Sequence, residues 1–153
     1  MASPEANANL KEELIDEVLV LRVKGRLDAL SSPAVEKKIF DAIRKGQTRL
    51  LIDMSGVSYL SSAGMRMLLS TSKRLRSLSG RLIVCNMAAN VSDVFKMSGL
   101  DHVLEISINE EDALKHFSRA HVHTSDTVIE KKEIERSFLG FTPEAQQQRT
   151  SSG

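Results

Sequence analysis

Val57-Ser58-Tyr59-Leu60-Ser61-Ser62-Ala63-Gly64-Met65 is the stretch whose reading decides the fold, because a buried strand here hands over to a long helix. Upstream, Arg49-Leu50-Leu51-Ile52-Asp53-Met54 is apolar almost throughout, as in a strand covered on both faces. Downstream, Met65, Leu68, Leu69, Leu75 and Leu78 fall near the three-and-four spacing of one core face, predicting a helix from about Ser62 to Ser79 closed by Gly80. Between them stand two adjacent hydroxyls, Ser61 and Ser62. A helix start leaves its first backbone N–H groups unpaired, so a serine there is a natural cap, and the capping position falls to Ser62. The same geometry tolerates an anion, including a phosphate carried by that serine.

The chain before this junction is predicted to open with a hairpin. Residues 1–9 read as a disordered polar leader, followed by strands at Leu10–Ile15 and Val18–Val23. Leu19, Leu21 and Val23 alternate with Val20, Arg22 and Lys24, so one face of the second strand should be partly solvated. Gly25-Arg26-Leu27-Asp28-Ala29-Leu30 reads as a loop leading to Ser31-Ser32-Pro33, a strong helix start. That helix should run to about Lys45, burying Val35, Ile39, Ala42 and Ile43.

After the junction the alternation continues. Arg81–Cys85 is a third buried strand, Asn90–Ser98 a short helix stopped by Gly99, and Val103–Ile106 a short strand. Ser107 or Asn109 caps a last helix whose first turn carries Glu110, Glu111 and Asp112, suited to the positive dipole end. The expectation is an α/β domain with a mixed sheet and about four helices, ending near residue 118. Residues 119–153 are polar and predicted to be a largely disordered tail, with a short helix over 128–138 and a docking element at Phe138-Leu139-Gly140-Phe141.

Composition narrows the function. Of 153 residues, 41% are hydrophobic and 27% charged, and the net charge of +1 gives no argument for nucleic acid or anionic lipid. One cysteine, Cys85, lies in a buried strand pattern, the leader is no signal peptide, and no stretch is apolar enough to span a membrane. These point to a cytoplasmic protein. Catalytic signals are thin, with neither GxxxxGK[ST] nor GxGxxG after a strand. His121 and His123 lack a third ligand at metal-site spacing, so neither a metal nor a cofactor is expected. Ser62 with Asp28 or Asp53 is the nearest catalytic-looking group, and no histidine adjoins it. Arg66, Lys73, Arg74, Arg76 and Arg81 read as a solvated polar face.

Three stretches in this order, Gly25-Arg26-Leu27-Asp28-Ala29, Ile52–Val57 running into Ser61-Ser62-Ala63-Gly64-Met65, and Phe95-Lys96-Met97-Ser98-Gly99-Leu100, resemble the STAS domain of bacterial anti-sigma factor antagonists over residues 10–118. The resemblance implies a partner-switching protein and no enzyme. Its unphosphorylated form would bind a GHKL-class serine kinase that is also the anti-sigma factor, phosphorylation would release it, and a metal-dependent serine phosphatase would reset it. The motif places Ser62 on the phospho-acceptor position, Gly64 on the motif glycine, Asp28 on an acidic residue of the kinase-contact surface and Ser31 on the hydroxyl beside it. Ser61 stands where the family usually has aspartate, and offers a second hydroxyl. Arg66, Met67 and Ser70, on the expected exposed side of the helix, complete the predicted partner surface. Two other readings stay open: a STAS scaffold or accessory subunit, as in stressosome, secretion-control or lipid-transport complexes, and a small-ligand or nucleotide-binding domain.

Overall fold

In the computed structural model the described residues are 8–118, and the expectations for the first residues of the leader and for the tail, with His121 and His123, lie outside them. Five strands form one sheet: β1 (Ala8–Ile15), β2 (Val18–Leu27), β3 (Arg49–Leu60), β4 (Arg81–Cys85) and β5 (Glu105–Ser107). They lie side by side in chain order, with β1 antiparallel to β2 and the other neighbours parallel. Four helices alternate with them: α1 (Ser32–Arg44), α2 (Ser62–Ser77), α3 (Ala89–Ser98) and α4 (Glu110–Ser118). The mixed α/β architecture is the expected one.

Strand alternation divides the apolar residues between two cores. Leu19, Leu21, Val23, Leu50, Ile52, Leu82 and Val84 face α1, α2 and α3. Val18, Val20, Leu51, Ile83 and Cys85 face α4 through Ala113 and Phe117. This double coverage explains the unbroken apolar run of β3. Cys85 is fully buried, and burial pushes its thiol up to about 12, so it behaves as a small core side chain.

Several boundaries differ from the sequence reading. β1 begins at Ala8, and residues 25–27, expected in a loop, belong to β2. β3 runs on to Leu60, well past the predicted end at Met54. The register explains both extensions: between Arg22 and Lys24, and again between Gly25 and Arg26, β3 carries one more residue than β2, and pairing resumes each time. Gly56 permits the first irregularity, since a Cβ there would lie 2.5 Å from Lys24 Cγ. β4 follows β3 only as far as Asp53 and β1 follows β2 only as far as Gly25, so Arg26–Leu27 and Tyr59–Leu60 form a short ribbon beyond the rest of the sheet. α1 and α2 both start from its tip. At the far edge, a 3-10 turn at Leu100–His102 displaces the start of β5 from Val103 to Glu105.

Within α2, Leu68, Leu69 and Leu75 are buried as predicted, whereas Leu78 is half exposed and Met65 only partly buried. Met67, expected on the exposed side, is 4% exposed and accepts a hydrogen bond from the Thr71 hydroxyl at Sδ. α2 packs on α1 as well as on the sheet, so its apolar arc is broader than one stripe.

Candidate functional site: the ribbon tip

The tip carries two helix starts side by side, joined by the Ser61 N–H donating to the Leu27 carbonyl at 2.8 Å. At α2 the cap is Ser61, in extended backbone, its hydroxyl accepting from Gly64 N–H at 3.3 Å while its carbonyl accepts from Met65 N–H. The prediction that Ser62 caps is therefore corrected. Ser62 is the first helical residue, and its side chain is exposed. With Ser61 already serving as cap, the Ser62 hydroxyl makes no hydrogen bond among the described residues and is left to solvent.

Gly64, predicted as a partner contact, is buried. A Cβ there would meet the Leu27 carbonyl oxygen at 2.8 Å and Leu60 Cδ1 at 2.7 Å. Its role is to let the first turn of α2 settle onto the ends of β2 and β3. Met67 is likewise excluded from direct contact with a partner by its burial. Arg66 is exposed as expected, and Ser70 is half-buried at the edge of a surface hollow of about 300 Å³ lined by Phe40, Lys73, Arg74 and Ser77.

The start of α1 is held differently. Asp28 Oδ1 accepts from the backbone N–H of Leu30 at 3.1 Å and of Ser31 at 3.0 Å. The Ser31 hydroxyl donates to the Arg26 carbonyl at 2.5 Å and accepts from Asp28 N–H at 3.1 Å. These bonds close residues 26–31 into a fixed loop. The Ser31 N–H, ahead of the other partners, holds the Asp28 carboxyl below its ordinary range. Ser31 is 1% exposed, which corrects its assignment as a partner contact: it braces the loop from inside. Asp28 remains within reach of solvent, with Arg26 Nε 3.5 Å from its second oxygen.

Sequence reasoning missed the apolar part of this surface. Leu30 is 56% exposed and Tyr59 42%, and the Arg26 guanidinium stacks 4.2 Å from the Tyr59 ring centroid. An isolated apolar residue in a polar loop, and the only tyrosine of the chain, were the available signals. Aromatic and aliphatic side chains left out of a core beside a charged rim are the composition of a protein-contact patch.

Asp53 does not join Ser62. It lies on the α4 face of β3, accepting from Ser55 N–H at 2.9 Å and Asn86 Nδ2 at 3.2 Å, with Arg22 Nε 3.8 Å away. Arg22 also engages Glu13 and Glu110 there. Arg81, read as part of a solvated face, pairs with Glu105, donates to the His116 carbonyl and lies over the Phe117 ring. A second hollow, of about 260 Å³ beside Phe117 and Arg49, likewise lies away from the serines. Among the described residues no group of three or more His, Cys, Asp or Glu is placed to hold a metal ion, and no helix is long and apolar enough to cross a membrane.

A mixed sheet covered by three helices on one face and one on the other, with paired serines at a strand-to-helix junction, defines an α/β domain of the STAS type. Residues 9–113 match the STAS domain family, and the chain belongs to it. Among its relatives, the anti-sigma F factor antagonist of Paenibacillus polymyxa is 28% identical over 109 residues, covering 71% of this chain and 93% of that one. The crystal structure of an anti-sigma factor antagonist from Mycobacterium paratuberculosis aligns with a TM-score of 0.66 at 27% identity, covering 75% and 97% of the two chains. The Bacillus cell fate determinant SpoIIAA, solved in its phosphorylated form, aligns with a TM-score of 0.57 at 27% identity, covering 71% and 99%.

Proposed function

We propose that this protein is a partner-switching regulator controlled by phosphorylation of Ser62. The unphosphorylated form binds an anti-sigma factor that is also a GHKL-class serine kinase, and thereby frees the kinase's target. The kinase transfers the γ-phosphoryl group of ATP to Ser62: a bond forms between Ser62 Oγ and the γ-phosphorus, the bond to the ADP oxygen breaks, and the kinase accepts the hydroxyl proton. A metal-dependent serine phosphatase restores the hydroxyl.

The observation that carries this reading is the exposure of Ser62 at the first position of α2, with Ser61 as cap. An exposed side chain can enter another protein's active site without unfolding, and the helix dipole favours the charge that results. A phosphate adds about 1.5–2 negative charges at neutral pH. The contact surface we assign to the partner is the adjoining rim of Asp28, Leu30, Tyr59 and Arg66. A dianion placed there must be desolvated against the partner, and an acidic partner surface would also repel it. A loss of about 3–4 kcal/mol weakens binding by two to three orders of magnitude, enough for a switch.

Tandem mass spectrometry after incubation with the cognate kinase and ATP tests the assignment. Phosphate on Ser62 is expected. Phosphate on Ser61 alone would move the acceptor by one residue, and phosphate on neither would end the proposal.

A further inference from the structure

Arg66 stands apart from the other arginines of the described residues. Arg26 is engaged by Asp28 and Tyr59, Arg44 by Asp41, Arg74 by the Phe40 ring and Arg81 by Glu105. Arg22 and Arg49 are engaged across the sheet, and Arg76 has a partner of its own. Arg66 alone among them has no ion pair, side-chain hydrogen bond or ring contact, and its side chain is exposed. It lies four residues after Ser62 on the same helix.

Building on the reading of Ser62 as phospho-acceptor, we infer that Arg66 is the intramolecular counter-ion of phosphorylated Ser62. Residues four apart on a helix have Cβ atoms about 5–6 Å from one another. Helical side chains lean toward the N-terminus, so Arg66 leans over the turn that carries Ser62. A negative group four residues before a positive one is also the favourable order. The planar guanidinium fork matches two phosphate oxygens, which a lysine cannot do. Forming the pair draws Arg66 off the rim described above, so one modification both adds charge and removes a cationic contact.

The test uses the full chain with phosphoserine placed at position 62 by genetic encoding, so that no kinase is needed. The second ionisation of the phosphate, followed by phosphorus NMR, should occur about 0.3 pH unit lower in the native sequence than in Arg66→Gln, the shift that one helical ion pair corresponds to. Arg66→Lys should retain part of the difference, Lys73→Gln should change nothing, and added salt should shrink the difference. Equal titration with and without Arg66 would overturn the pairing, as would a shift that follows Arg26→Gln instead. Neither result touches the phosphorylation reading, which stands or falls on whether the kinase modifies Ser62.

Discussion

Two serine pairs begin two helices from adjacent strands of one ribbon, and the contrast between them sets the Ser62 hydroxyl apart from the other three. Ser31-Ser32 precedes Pro33 at α1, and Ser61-Ser62 precedes Ala63 at α2. At α1 both serines are buried, and the Ser31 hydroxyl is occupied by Arg26 and Asp28. At α2 one hydroxyl caps the helix and the other faces solvent. The same dipeptide supplies a buried brace through Ser31 in one place and an exposed hydroxyl through Ser62 in the other. The difference arises from the approach of the preceding chain: residues 28–31 fold back over the α1 start, whereas β3 runs straight into α2.

The largest expected effect separates the pairs by binding. Ser62→Asp should weaken the complex with the partner kinase severalfold to a hundredfold, Ser62→Ala should bind constitutively, and full phosphorylation should cost about two to three orders of magnitude in Kd. Titration calorimetry reads all three; equal affinities would erase the distinction. Next, Ser31→Ala should destabilise the fold by about 1–3 kcal/mol, since it removes a buried hydroxyl that bonds both the Arg26 carbonyl and the Asp28 N–H. Urea unfolding measures this, and Ser62→Ala should stay within about 0.5 kcal/mol of the native value in the same assay.

A smaller effect distinguishes the two members of the α2 pair. Ser61→Ala removes the cap on Gly64 N–H and should cost about 1 kcal/mol, with Ser62 still available to the kinase. A cost no larger than that of Ser62→Ala would return the capping role to Ser62. The smallest effect is acid-dependent. Because the folded-state value of Asp28 is depressed, its contribution is present above the ordinary carboxylate range and is lost as pH falls through the folded value. The difference in urea midpoint between the native protein and Asp28→Asn should therefore be larger at neutral pH than in acid, and a constant difference would argue against an ionised Asp28 bracing α1.

Much of the fold was legible because it is written in short-range pattern. Val35, Ile39, Ala42 and Ile43 face the core of α1 as their spacing predicts, Asn109 caps α4 through Asp112 N–H, and Gly99 ends α3 in the left-handed conformation. The ribbon was not legible, since Gly25 and Gly56 look like turn residues and only the partner strand reveals that pairing resumes beyond them. Met67 was misplaced because one helix stripe says nothing about a second neighbour, here α1. Leu30 and Tyr59 escaped notice because an apolar residue declares itself exposed only once the core is complete.

The sequence by itself determined that a strand ends and a helix begins around Ser61-Ser62, and that the serines stand within the motifs of the STAS family. Periodicity and capping chemistry act over a few residues, so they are readable without coordinates. Only the tertiary structure decided that Ser61 caps and Ser62 is exposed, that Ser31, Gly64 and Met67 work from the inside, and that Arg66 is left unpartnered. Those properties depend on segments distant in sequence packing against the same few residues, as Leu27 of β2 does against the first turn of α2.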